Sequence, residues 1–433
     1  MKSCFGLILA LTTSVVCAQT PDSLTVEQAI VQVVDNHPLV RQAAQSVEAS
    51  LAHLQQKRSA YYPTSDVDLT YTRLDPVGEI AFPGLGSFQM YPEDNYDEHI
   101  SLHQTVYDFG RTSASVEVNE WNVKSGEKRV DLIKTDLAFQ TVQTFYAILF
   151  LRQNIEVKDR EIDALNEHLS ITQKKAQAGT ATDFDVLTTQ VRIAAEKNRR
   201  ADIENMLQKQ ESVFRRLAQL SPNAVITIRG SFEVQQVTLN PDSLLSVAKD
   251  DRIEILQAHD QEQMAEADEK LSSIGDRPEL RVGLEYGLKN GFFPDLDVWR
   301  GNWVAAIDAK IPIFNGFKTE NEKEESHAKY LAALEQSRNI ERQVQMEVQQ
   351  AVSDMQTSVQ KIETSTLEVQ QAEQALSMAN IRYSSGVITN LDLIDAQTSL
   401  AEAQLSHLDA LYKYVISTYT LRKAVGENFI PKH

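Results

Sequence analysis

Few residues in this chain are spaced to do chemistry. His99 and His103 lie four apart. On a helix that spacing would put two imidazoles on one face, ready to chelate a metal. On a strand it separates them by about 13 Å, at roughly 3.3 Å per residue, and leaves only a polar strand face. The other histidines are scattered, and no HExxH run occurs. Gly84-Leu85-Gly86 lacks the third glycine and the following helix of a phosphate loop. No serine, threonine or cysteine stands in a recognisable pairing with a base. The expectation is a protein that is not an enzyme, with no catalytic residue, metal or cofactor. Asp392 and Asp395 stand apart, one helical turn from each other and just after a glycine turn. They read either as first-turn acids that offset the helix dipole or, if symmetry repeats them around an axis, as charged rings that select ions.

The ends and the charge narrow the class. Lys2, the apolar stretch from Phe5 to Val16, and Val16-Cys17-Ala18 before Gln19 form a secretory signal at residues 1–18. The chain's 2 cysteines, Cys4 and Cys17, both fall within it. A disulfide framework and thiol catalysis are thereby excluded. Cys17 could instead be a lipidated N-terminus, although bulky Val16 sits where a small residue is preferred. No later stretch reaches the 18 or so apolar residues of a membrane helix. An exported protein of this kind is periplasmic, secreted, or a β-barrel in an outer membrane. The net charge of −19 repels phosphate backbones, so nucleic acid is not an expected partner.

The chain is written twice. Ala178-Gly179-Thr180-Ala181-Thr182-Asp183-Phe184-Asp185-Val186-Leu187 recurs as Ser385-Gly386-Val387-Ile388-Thr389-Asn390-Leu391-Asp392-Leu393-Ile394, at an offset of 207. Tyr107-Asp108 matches Phe314-Asn315 at the same offset. Pro63, Val67, Leu69 and Tyr71 match Pro278, Val282, Leu284 and Tyr286 at an offset of 215. Eight extra residues therefore lie between Tyr71 and Tyr107 of the first copy. The expected organisation is a first repeat at 19–220 and a second at 221–433.

Proline placement defines the elements. All 12 prolines lie outside 93–221 and 313–430. Proline breaks helix interiors, so these windows admit very long helices. Ile148, Leu151, Ile155, Ile162, Leu165, Leu169 and Ala176 follow heptad spacing, broken at Lys158 and Thr172. The spacing predicts helices from about 111 to 178 and from about 318 to 384. Gly179 and Gly386 suit left-handed C-caps. Thr182 and Thr389 suit the N-caps of returning helices. Each repeat thus holds a helical hairpin, with tips at 179–182 and 386–389.

Period-two alternation predicts strands at about 65–74, 97–107, 280–289 and 302–313. Their length of about ten residues is that of a tilted membrane strand. Gly/Pro/Asp-rich loops, 75–97 and 290–302, separate each pair. Four strands cannot close a barrel, since about eight is the smallest that fills its own interior. Three chains would supply twelve strands in a closed ring.

These segments in this order resemble the TolC-type outer membrane efflux and secretion channels. The resemblance covers essentially the whole mature chain. It is carried by Gln104-Thr105-Val106-Tyr107-Asp108-Phe109-Gly110 and Ile311-Pro312-Ile313-Phe314-Asn315-Gly316 at the strand-to-helix junctions. Tyr383-Ser384-Ser385-Gly386, Asp392-Leu393-Ile394-Asp395-Ala396 and the opening Ser23-Leu24-Thr25-Val26-Glu27-Gln28-Ala29-Ile30 add to it. The resemblance implies a homotrimer whose twelve-stranded β-barrel sits in outer membrane lipid above a twelve-helix α-barrel in the periplasm. It implies a passive exit duct for small molecules or secreted proteins, docked to a periplasmic adaptor and an inner-membrane transporter. The family's gate carries over to Asp185 and Tyr383, and its ion-selecting rings to Asp392 and Asp395. The adaptor contact is assigned to the two tips, Gly179, Thr180, Ala181 and Thr182 with Gly386, Val387, Ile388 and Thr389. A gate arginine found in the family is replaced here by Ile388. The competing readings are a periplasmic adaptor, which would show one hairpin between lipoyl-like halves, and a coiled-coil structural protein, which would leave the alternating segments unexplained.

Overall fold

The computed structural model describes residues 23–84, 86–234 and 240–431. The signal segment, Cys4, Cys17 and Leu85 lie outside the described residues. Thr25 opens α1 (Val26–Asn36) with a capping box to Gln28. Its hydroxyl accepts from the N3 amide while Gln28 reaches back to the Thr25 amide, which satisfies two orphan donors at once. His37 closes α1, and Pro38 starts α2 (Pro38–Arg58) at the first position, where its missing N–H costs nothing. Strand β1 (Thr64–Arg73), a small hairpin of β2 (Glu79–Phe82) and β3 (Gly86–Gln89), and strand β4 (Asp94–Tyr107) follow. Then come α3 (Arg111–Gln177) and its return α4 (Asp183–Leu217).

The second copy repeats these parts in the same order, namely α5 (Pro241–Asp251), α6 (Ile253–Ser273), β5 (Glu279–Lys289), β6 (Arg300–Lys310), α7 (Lys318–Ser384) and α8 (Asn390–Ala424). Helix lengths agree between copies at 11, 21, 67 and 35 residues. At 1.5 Å per residue the 67-residue helices are on the order of 100 Å long. Among the described residues no helix is long and apolar enough to cross a membrane.

Two differences from the sequence expectation have simple causes. Strand β6 stops at Lys310 instead of continuing to 313, because Pro312 has no amide to give a ladder and restricts the residue before it. The segment 75–97, expected as loop, holds the β2–β3 hairpin, with Ile80 opposite Phe88, and the first residues of β4. This hairpin lies where the first copy carries its extra residues.

Strands β1, β4, β5 and β6 form one antiparallel sheet in that order. Val67 lies opposite Ile100, Ile100 opposite Tyr286, and Tyr286 opposite Trp303. Directly paired residues share a face, so this row is apolar across all four strands. These side chains are not covered: Val67 is 66% exposed, Tyr286 66%, Trp303 74% and Ile307 74%. The other face carries Asp66, Asp68, His99, Ser101, His103 and Glu285. The sheet has its apolar side turned outward, as a membrane barrel requires and a water-soluble sheet does not.

The covered core lies at the middle of the long helices. Ile30 and Val33 of α1, Val142 and Phe145 of α3, Met355 of α7 and Tyr414 of α8 are buried together there. From Leu149, its residue on α3 nearest the tip, to Gly179 is about 45 Å along the helix. Over that length a small apolar cluster of Leu165, Ile193 and Ile394 joins the two hairpins.

Candidate gate at the hairpin tips

The tips are built by local rules. Gly179 and Gly386 take φ of 77° and 73°. The Gly179 and Thr180 amides donate to Ala176 and Lys175 carbonyls, and those of Gly386 and Val387 to Tyr383 and Arg382. A Cβ at either glycine would meet nothing within 4 Å. The backbone conformation therefore calls for glycine there, and steric room does not. Thr182 and Thr389 then cap α4 and α8, each in a capping box with the acid three residues on.

Those acids are Asp185 and Asp392. Asp185 Oδ2 accepts from the Thr182 amide at 2.9 Å and its hydroxyl at 2.7 Å. Asp392 Oδ2 accepts from the Thr389 amide and hydroxyl at 2.8 and 2.7 Å. The Thr389 hydroxyl, then the amide, holds the Asp392 carboxyl below the usual aspartate range. Both bonds fall on one oxygen, which leaves Oδ1 of each carboxylate to face elsewhere. Asp395 is exposed on the next turn of α8.

Tyr383 lies in the last turn of α7. Lys175 of α3 sits over its ring at 3.9 Å and approaches its carbonyl at 3.5 Å. The His168 ring meets it edge-on at 5.1 Å. Among the described residues Tyr383 and Asp185 share no hydrogen bond within one protomer. The structure thus brings Tyr383 to the first hairpin through Lys175 and His168, and brings Asp185 to the second through its backbone.

That second tie is Asn390, which the sequence reading passed over. It is buried at the first position of α8. Its amide donates to the Asp185 carbonyl and to Thr189 Oγ1, both at 3.3 Å. Its Oδ1 accepts from His168 Nε2, so the proton belongs on that nitrogen. Thr172 Oγ1 lies close by. Further up, Arg192 donates to Thr398 at 2.7 Å. A second polar cluster lies inside the first hairpin. Lys158 donates to Glu161 at 2.7 Å and to Glu196 at 2.9 Å, and Arg199 reaches Glu196 at 2.6 Å. Burial pushes the Glu161 carboxyl up, against the pull of Lys158. Lys158 and Thr172 are the two breaks in the heptad pattern, and those breaks were the signal that polar side chains had to be satisfied there.

A duplicated unit of paired strands and 100-Å-class helical hairpins, with an outward apolar sheet, defines a class of exit channel. The chain belongs to the outer membrane efflux protein family, whose model matches residues 29–219 and 244–427. Among its relatives is the outer membrane protein TolC of Vibrio cholerae, 21% identical over 404 residues, 91% of this chain and 89% of that one. Its fold is similar to the Campylobacter jejuni CmeC outer membrane channel, with a TM-score of 0.80 at 14% identity over 98% of this chain and 94% of that one. It is also similar to the outer membrane protein VceC of Vibrio cholerae, with a TM-score of 0.78 at 19% identity over 93% and 96%. The protein is accordingly an outer membrane protein whose helical part lies in the periplasm. Members of the family are channels.

Proposed function

We propose that three copies of this chain, each cleaved of residues 1–18 and divided into repeats near 220, form one exit duct through the outer membrane. The observation that carries the reading is a four-stranded sheet with an exposed apolar face and two open edges, continuous with helices too long to stand alone. Twelve strands close a barrel where four cannot. The helices below continue the duct across the periplasm. The duct is passive, and a periplasmic adaptor would dock it to an energised inner-membrane transporter at the tips, 179–182 and 386–389.

The tip is the gate in this reading. Asp185 Oδ1 and the Tyr383 phenol would bond between neighbouring hairpins, repeated three times, each bond contributing roughly 1.5–3 kcal/mol. With Ile388 adding no charge, fewer ionic contacts hold it closed. Asp392 and Asp395 would stand inside the entrance as carboxylate rings and make the pore cation-selective. Native mass of the detergent-extracted protein should correspond to three chains, and a single-chain mass would overturn the duct. In planar bilayers Tyr383→Phe should raise conductance, and Asp392→Asn with Asp395→Asn should weaken cation preference. Unchanged conductance and selectivity in both would leave these residues as caps and dipole partners only.

A further inference from the structure

The β2–β3 hairpin is an addition that the four-stranded sheet does not use. It forms a two-stranded sheet of its own. The second copy joins β5 to β6 through 290–299 without any strand. The hairpin's two faces are opposites. Ile80 pairs with Phe88 and Phe82 with Gly86 on one face, Glu79 with Gln89 and Ala81 with Ser87 on the other. The Phe82 and Phe88 rings meet edge-on at 6.0 Å. Yet Ile80, Phe82, Phe88 and Met90 are each 42–50% exposed. A lone two-stranded hairpin is at best marginally stable in water unless such a face is packed. Among the described residues, the ring that another part of the chain brings to this face is Phe293, itself 71% exposed. We propose that the face is covered by the acyl chains of the outer leaflet at the headgroup boundary, with the polar face turned to water. The inference rests on the barrel reading above, which gives the sheet's apolar side to lipid.

The apolar belt of the sheet continues into this face. Trp299 stacks on Tyr96 at 4.9 Å, and Tyr96 lies opposite Tyr71 on the sheet's apolar side. Aromatic rows of this kind sit where a barrel leaves the hydrocarbon. Phe293 belongs to the same loop as Trp299 and lines the hairpin's face with Ile80, Phe82, Phe88 and Met90. One loop thus carries apolar side chains from the belt to the hairpin.

The other side of the sheet offers no such cover. At this level it carries Asp97, Lys289 and Arg300 in one row, with Lys289 donating to Asp97 at 2.7 Å. An apolar face turned over that row would strip water from the charges and return no hydrogen bond. The backbone also bends where the hairpin begins. The Leu74 amide donates to the Glu93 carbonyl, and the Met90 amide to that of Gly78. Between these bonds lie 75–77 on one arm and only 91–92 on the other, so one arm holds an extra residue. An extra residue is a bulge, and a bulge turns the ladder out of line. Arg73 stands at the bend, already paired with Asp94 and Glu93. A hairpin bent there can lie along the membrane surface as amphipathic elements do, apolar side down.

Cys4 and Cys17 lie in the signal segment, so a cysteine introduced into the mature chain is its only thiol. Ile80→Cys and Met90→Cys on the apolar face, Ser87→Cys on the polar face and Leu69→Cys in the belt would each carry a bimane label in phosphatidylcholine nanodiscs. Lipid with acyl chains brominated near the headgroup should dim the Ile80 and Met90 labels as it dims the Leu69 label. Aqueous iodide should dim the Ser87 label and spare the other three. Ile80 and Met90 labels that answer to iodide as Ser87 does place the face in water and overturn the proposal. Labels that answer to neither quencher place it under protein and overturn it equally. If the Leu69 label escapes the lipid bromine, the barrel reading fails and this inference with it. Ile80 and Met90 lie on separate arms of the hairpin, so either one alone decides the outcome should the other variant fail to assemble.

Discussion

The two hairpins have the same outline and different interiors. Both have 67-residue descending helices, 35-residue returns, a left-handed glycine and a threonine capping box. Yet the first buries Lys158, Glu161 and Glu196 where the second has Ser365, Glu368 and Ala403. The first presents His168 and Thr172 where the second presents Ala375 and Ala379. Ser365 is satisfied more simply, by the Ile362 carbonyl and His407. Backbone length and turn geometry are thus set by caps and proline-free runs that both copies keep. The interiors diverged with their neighbours: the first hairpin receives the second within the same chain, and in the trimeric reading the second receives a hairpin of another chain.

The largest effect expected from this comparison concerns the buried charges. Lys158→Met leaves Glu161, whose side chain is 1% exposed, without its cation. Removing one partner of a buried ion pair costs about 3–5 kcal/mol. Arg199 still reaches Glu196 and limits the damage there. The corresponding change in the second hairpin, Ser365→Ala, removes a hydrogen bond worth about 1 kcal/mol. Hydrogen exchange along α3, α4, α7 and α8 should show loosening confined to the first hairpin in Lys158→Met. Equal loosening in both variants would mean that the two interiors carry equal weight.

The next effect sharpens the comparison at the tip. Asn390→Ala leaves the Thr189 hydroxyl and His168 with unmet groups in a buried place, a loss of about 1–3 kcal/mol. Asp183→Ala, at the equivalent position of the first hairpin, removes an exposed side chain and should stay within about 0.5 kcal/mol. Exchange rates of the first turns of α8 and α4 read the two directly. If Asp183→Ala frees α4 as much as Asn390→Ala frees α8, the lock is not particular to the second tip.

Much of the fold was legible because its determinants are local. The proline-free windows and the glycines at 179 and 386 place the long helices, which run Arg111–Gln177 and Lys318–Ser384. Alternation placed the strands, and the rule that chains avoid proline in ladders accounts for the early end of β6. The β2–β3 hairpin escaped because 75–97 is rich in turn residues and its strands are only 4 residues each. The tip residues split in the same way. Thr182, Thr389 and their acids follow from capping chemistry three residues apart. Asn390 does not, since its partners His168, Thr172 and Thr189 lie more than two hundred residues away in the chain. Thr172 and Lys158 were visible only as flaws in an apolar repeat, and a flaw does not say which distant side chain satisfies it.

The smallest effect expected is reversible and separates the two tips by pH. Burial holds the His168 imidazole below its ordinary value of 6.5, Lys175 adds to this, and the Asn390 hydrogen bond and Asp185 oppose it. Because the folded tip prefers the neutral ring, His168 contributes stability that is fully present above pH 6.5. It is lost as the pH falls from there toward the lowered folded value, since the unfolded chain takes up the proton first. Protonation does not remove the Nε2–H that Asn390 accepts. It adds a buried charge within reach of Lys175, so the penalty falls on the first hairpin and on the contact it makes with α8. The second tip has Ala375 at this position, and the second hairpin's own imidazole lowered by burial, His407, lies away from the tip beside Ser365. Exchange of the α8 first turn, measured at pH 7.5 and pH 5.5, should therefore accelerate at the lower pH after correction for intrinsic rates, and His168→Gln should flatten that response. An acceleration that persists in His168→Gln would move the cause to another group and leave the two tips alike in their answer to acid.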